Sequence, residues 1–115
     1  MNNLKKANAS LTASFLFLIA IIISIFLGLN NKYKILYNDS KINDENKLAL
    51  IQNTLILLAA SIFLYLNYDN YKENKTNDNK LQTIASVLAV ITAIIPVYLI
   101  IKNYNNIENE FEEPL

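Results

Sequence analysis

The stretch LQTIASVLAVITAIIPVYLII, residues 81–101, decides the fold class of this chain. Its twenty-one residues carry no formal charge, and a helix of that length covers about 30 Å, the thickness of a membrane's hydrocarbon core. One side of the helix is bulky and aliphatic, whereas the other is small and weakly polar, which is typical of a membrane helix that packs on protein with one side and faces lipid with the other. The small side consists of Gln82, Ala85, Ser86, Ala89, Thr92, Ala93 and Pro96.

Two further uncharged apolar runs extend the pattern through the chain. All ten lysines and all ten acidic residues lie outside the three runs, whereas a water-soluble helical bundle would show charges on every turn of its outer faces. We therefore predict an all-α integral membrane protein, a single membrane domain whose three transmembrane helices pack as a small antiparallel bundle. The predicted segments are spans at about 11–29, 48–66 and 81–101, loops at 30–47 and 67–80, and an acidic carboxyl-terminal tail at 102–115, within the single domain 1–115.

The lysine distribution leaves the orientation in the membrane open. The amino-terminal tail and the second loop, which share one side if there are three spans, hold five lysines, and the other side also holds five. The rule that lysine-rich loops stay cytoplasmic therefore gives no preference. Lys5 and Lys6 precede the first run as in a signal peptide, but the run lacks a small-x-small end, so we expect a retained anchor.

Small residues in the first span suggest how the helices pack. Ala20, Ser24 and Gly28 are spaced by four, and such a row allows another backbone to approach closely. We expect this row to face the Ala85, Ala89 and Ala93 side of the third span. Chance is the alternative explanation, because small residues are common in membrane helices.

Three polar or helix-disrupting features add to this prediction. Gln52 and Asn53, near the start of the second span, could hydrogen bond to another helix or line a polar site. Pro96 lacks an N–H group, so the carbonyl of Thr92 loses its helical partner and a kink is expected. The expected helix caps are Asn43 or Asp44 for the second span and Asn77 or Asp78 for the third.

The residues that are missing argue against catalysis and against cofactors. The sequence contains no histidine, cysteine, arginine or tryptophan, and no acid or lysine falls within a span, so the common bases, nucleophiles and proton carriers are absent. The second loop's carboxylates lack the glycine that a calcium loop needs. Neutral net charge without arginine gives no footprint for nucleic acid. Asn8, Asn38 and Asn74 begin Asn-x-Ser/Thr triplets, which abundant asparagine produces by chance.

We expect a non-enzymatic membrane protein that acts through protein–protein association, as a subunit, assembly factor or envelope component. Its expected surroundings are the lipid bilayer and either a protein partner or a second copy, bound through the small-residue stripes. The alternative is a holin-like pore former, which fits the size, the three spans and the polar residues inside them. The acidic tail argues against that alternative, because such proteins often end in a basic tail.

Overall fold

The computed structural model describes residues 2–39 and 44–112, with side chains described as far as Asn103. These residues form three helices and no strand: α1 (Asn3–Tyr37), α2 (Glu45–Glu73) and α3 (Asn77–Glu112). The all-helical prediction is confirmed, and all three helices are long and apolar enough to cross a membrane. The molecule is 60 Å long, which is more than the thickness of a hydrocarbon core, about 30 Å.

The first two helices begin at polar side chains that satisfy free backbone N–H groups. Asn2 accepts a hydrogen bond from the backbone N–H of Lys5 at 2.7 Å, and Asp44 accepts one from Lys47 at 3.0 Å. The predicted cap at Asp44 is confirmed, whereas its alternative, Asn43, lies outside the described residues. At the other end of α1, Asn38 adopts a left-handed conformation with φ 52° and terminates the helix.

The predicted cap of α3 is wrong by one residue. The hydroxyl of Thr76, rather than the side chain of Asn77 or Asp78, accepts a hydrogen bond from the backbone N–H of Asn79 at 3.1 Å. A threonine hydroxyl in this position bonds the third N–H of the helix, so the helix starts at Asn77. Farther along, α3 continues through Pro96 without interruption, and the kink at the Thr92 carbonyl stays a prediction.

The helices continue well past the apolar runs. Much of the segments 30–47 and 67–80, which were predicted as loops, is helical, and only residues 74–76 separate α2 from α3. These polar segments contain no glycine or proline, so the helices continue into them as far as Tyr37 and Glu73 before they end. The tail is helical to Glu112 for the same reason, and residues 113–115 lie outside the described part of the chain.

The second helix lies between the other two. One end of α1 contacts the far end of α2 through Lys6 and Glu73, and the other end contacts the start of α2 through Asn30 and Glu45. The third helix packs along another side of α2. Within the described residues no Cα atom of α1 lies within 8 Å of a Cα atom of α3, so the three helices form a curved layer rather than a closed bundle.

The two packed seams follow a heptad pattern. On α3 the positions turned to α2 are spaced alternately by four and three, which is the 3.5-residue period of left-handed helix packing. Alanines become fully or nearly fully buried in both seams, because a methyl group lets two backbones approach closely. The buried alanines are Ala13, Ala20, Ala59, Ala60 and Ala93.

Candidate functional site

The curved layer leaves an open groove between α1 and α3, which we call the concave groove. The central helix exposes a stripe of side chains on only one side, the convex side, which includes Ile51, Leu58 and Tyr65. Its opposite side carries Ile56 and Ala60 and is covered from both flanks by α1 and α3. Since α1 and α3 do not meet, that opposite side forms the floor of the concave groove.

Small and polar residues of α1 form one wall of the groove. Ser24 lines a cleft of about 220 Å³ together with Phe17 of its own helix and Gln52 and Ile56 of α2. Ser24 and Gly28 are both exposed, and a Cβ atom added to Gly28 would meet no heavy atom within 4 Å. The sequence-predicted row therefore divides, with Ala20 buried against α2 and the other two members exposed.

The opposite wall is formed by the uncovered half of the small side of α3. Ser86 and Ala93 are buried against α2, whereas Ala85 and Ala89 are exposed. The residues of α3 that face α2 have Thr83 on one flank and Ala85 and Ala89 on the other. Thr83 lines a cleft on the convex side. The flank with Ala85 and Ala89 therefore faces the concave groove. Gln82 and Thr92 belong to the same exposed stripe and Pro96, at its far end, is half-buried.

The predicted contact between the Ala20 row of α1 and the Ala89 row of α3 is not made. No Cα atoms of the two helices approach within 8 Å in the described part of the chain. The two rows also lie at different heights along the helix axes. The contacts Lys6–Glu73, Asn30–Glu45 and Asn67–Ser86 set these heights, and they place Ala89 level with about Phe15 rather than with Ser24. The reason is that α2 lies between the two helices and takes Ala20 and Ala93 for its own packing.

The two amides predicted to join helices have other surroundings. The Nδ2 of Asn53 donates to the carbonyl of Ala49, one turn earlier on the same helix, at 2.8 Å. Gln52 is half-buried and reaches the cleft that it shares with Ser24. The side chain of Asn53 thus bonds within α2, whereas Gln52 lines a cleft shared with α1.

Polar contacts between α1 and α2 gather at the two ends of the molecule instead. At one end the Nζ of Lys6 lies 2.7 Å from Oε2 of Glu73, 3.0 Å from Oδ1 of Asn70 and 3.4 Å from Oδ2 of Asp69. At the other end the buried Asn30 donates to Oε1 of Glu45 at 2.7 Å, and Lys34 pairs with the same carboxylate. These contacts fix the depth of α1 relative to α2.

A second polar set joins α2 to α3 beside Lys6. The Nδ2 of Asn67 donates to Oγ of Ser86, and the hydroxyl of Thr83 donates to the carbonyl of Asn67 at 3.1 Å. Asn79 reaches the backbone carbonyl of Asn74 at 2.8 Å. The contacts of Asn67 and Asn79 were not predicted, because residues 67–80 were assigned to a loop, whereas Ser86 was already placed on the small side of the third span. The signal was present in the spacing of Asn67, Asn70 and Asn74 by three and four, which continues the helix.

The convex side carries a further cleft, which we call the outer cleft. It measures about 500 Å³ and is lined by Ser61, Leu64, Tyr65, Tyr68, Thr83 and Val87. The ammonium group of Lys72 lies over the ring of Tyr68, 5.4 Å from its centroid. The outer cleft is therefore an apolar surface with a cation at one end.

Neither cleft presents the donor set of a metal site. The part of the chain that the structure describes contains no group of three or more His, Cys, Asp or Glu residues that could hold a metal ion. What the concave groove offers is a surface of small side chains for packing. Comparisons with protein-family models, with curated proteins and with solved structures each found no match to this chain.

Proposed function

We propose that this chain is a multi-pass membrane protein whose function is to associate with a transmembrane helix of another protein molecule in the concave groove. In this proposal its three helices cross the bilayer as an antiparallel bundle with loops on both sides. The observation that carries the proposal is the exposure of Ala85 and Ala89 of α3 on a groove wall that its own helices leave uncovered.

Small groove walls are suited to binding a helix in lipid. Because lipid tails are as apolar as leucine side chains, helices in a bilayer associate through close van der Waals packing and hydrogen bonds rather than through the hydrophobic effect. Ser10 and Ser14 lie one heptad before Phe17 and Ile21, so they continue the α1 wall opposite Ala85 and Ala89. Both walls therefore carry small residues at the same depth.

The occupant is either a second copy of this chain or a different membrane protein, and the role is that of a subunit, assembly factor or envelope component. No catalytic step is part of the proposal. The apolar runs that cross the bilayer contain no acid, lysine or histidine, so they offer no proton carrier or general base to a reaction inside the membrane.

Adding bulk to the groove wall tests the proposal. Ala89→Leu should abolish association, because the larger side chain holds an incoming backbone away, while the isolated chain should lose less than about 0.5 kcal/mol of stability, as for other surface changes. The measurement is the mass of the complex extracted in mild detergent from the native membrane, together with the fraction of co-localised copies in a bilayer.

The matched control is Ile91→Phe, which adds bulk to an exposed position on the lipid side of α3. It should leave the complex intact. If wild-type protein and Ala89→Leu give the same mass, or if the control disrupts the complex equally, association through the concave groove is refuted.

Polar side chains in the same groove favour a second candidate function, a pore of the holin type. Ser24 and Gln52, both within predicted spans, face a common cleft, and several copies arranged around their grooves would line a channel with such groups. Induced expression in bacteria with a membrane-impermeant dye separates the two functions. Dye entry with abrupt growth arrest supports the pore, whereas steady growth with dye excluded supports association.

A further inference from the structure

We propose that the outer cleft between α2 and α3 binds an anionic phospholipid, with one acyl chain along the cleft and the phosphate held by Lys72 and Lys80. This inference depends on the proposed membrane location of the helices, but it concerns the convex side, away from the concave groove. Three features of the cleft lead to it: an apolar lining, a pair of lysines at one end, and tyrosines between the two.

The lining of the cleft suits a hydrocarbon chain. Leu64 and Val87 provide aliphatic surface, and the rings of Tyr65 and Tyr68 flank it. The volume of about 500 Å³ falls within the usual range for small-molecule sites. The cleft is open along the convex side, so a lipid could enter it laterally from the bilayer.

The lysines stand on the same side as the cleft, one turn nearer the end of the molecule. Lys72 follows Tyr65 by one heptad, and its ammonium group contacts the ring of Tyr68. Lys80 precedes Val87 by one heptad, so it lies on the cleft face of α3. The contact between Asn67 and Ser86 places the two lysines at a similar depth.

These two lysines differ from those that hold the fold together. Lys6 and Lys34 each form an ion pair with a carboxylate of α2. Lys72 and Lys80 form no ion pair with a carboxylate of the described chain, and both are exposed. An anionic headgroup would supply the counter-charge that the protein does not provide at this end of the cleft.

Tyrosine at this depth fits the boundary between acyl chains and headgroups. Its ring is apolar and its hydroxyl is polar, which is why the residue is enriched where membranes meet water. Tyr68 thus lies between the chain-binding part of the cleft and Lys72, where the glycerol backbone of a lipid would lie.

Native mass spectrometry of the purified full chain tests the proposal, with phosphatidylglycerol and phosphatidylcholine of identical acyl chains as probes. The wild-type protein should prefer phosphatidylglycerol. Each lysine near a membrane surface contributes enough for about a fivefold change in affinity, so Lys72→Gln with Lys80→Gln should weaken phosphatidylglycerol binding about 25-fold. Phosphatidylcholine binding should change little.

The matched control is Lys32→Gln with Lys47→Gln, which removes the same charge from two exposed lysines at the other end of the molecule. It should change phosphatidylglycerol binding by less than about twofold, because those lysines are distant from the outer cleft. A second variant, Val87→Trp, fills the cleft while keeping both lysines, and it should also weaken binding of phosphatidylglycerol.

Equal effects of the two lysine pairs would overturn the proposal, as would unchanged binding to Val87→Trp. A wild-type protein that sediments with membranes but shows no preference for phosphatidylglycerol would refute the lipid site alone. Failure to sediment with membranes would refute both the lipid site and the proposed membrane function, so the two failures are distinguishable.

Discussion

Ala93 and Ala89 lie one turn apart on α3, yet one is buried in the seam with α2 and the other is exposed in the wall of the concave groove. The seam positions repeat with a period of 3.5 residues and pack against α2, whereas the adjacent stripe of the same helix is exposed at Gln82, Ala85, Ala89 and Thr92. The comparison teaches that one broad small-residue face of a helix can be divided into a packed half and an exposed half. Under the proposed function, the exposed half of α3 binds the partner.

The largest effect expected from this comparison is that of enlarging the seam alanine. Ala93→Leu forces a bulky side chain between α2 and α3 and should lower the free energy of unfolding by about 1–3 kcal/mol, as overpacking does. Leu88→Ala, on the exposed side of α3, should cost less than about 0.5 kcal/mol. Unfolding in mixed micelles measures both, and equal losses would contradict the assignment of the two sides.

A smaller effect is expected at the polar contact beside the seam. Asn67→Leu removes the hydrogen bond to Ser86 and should destabilise the chain by about 1 kcal/mol, within the range found for contacts between membrane helices. The control is Asn53→Leu, because the bond that the amide of Asn53 makes among the described residues is to the backbone carbonyl of Ala49 on its own helix. If the control costs as much in the same unfolding assay, polar contacts between α2 and α3 do not hold the seam together.

Much of the fold could be predicted from apolar runs, and the helix pairing could not. The run at 81–101 predicted a spanning helix and its two unlike sides, because charge and periodicity are local properties of the sequence. Which small row meets which helix depends on the register between distant segments. The row of Ala20, Ser24 and Gly28 was therefore assigned to α3, although Ala20 packs on α2 and the other two face the groove.

The candidate site was predicted in its residue types but not in its extent. Ala85 and Ala89 were recognised as a packing surface, yet Ser10 and Ser14 were not, since they precede the first apolar run or fall near its start. Likewise, Lys6 and Asn67 were assigned to a tail and a loop. Continuation of the helices past the apolar runs brings those side chains together, and hydropathy alone does not report it.

The smallest effect is expected from a pair of cysteines placed on the two walls of the concave groove, which should not form a disulfide bond. The chain has no cysteine of its own, so Ser14→Cys with Ala89→Cys introduces one defined pair at similar depth on the two walls. Because no Cα atoms of α1 and α3 lie within 8 Å among the described residues, this pair should not form a disulfide within one chain. Asn67→Cys with Ser86→Cys should join through a short thiol cross-linker, as a positive control. Rapid disulfide formation across the groove would show a closed bundle instead.

The most direct test of the central claim is a photo-crosslinking scan of residues 81–99, with the reactive side chain placed at one position at a time in native membranes. The concave groove predicts protein adducts with a helical period, strong at Ala85, Ala89 and Thr92 and weak at Leu88, Ile91 and Ile95. Adducts that ignore this period, or that peak at Leu88 and Ile95, would contradict association through the groove.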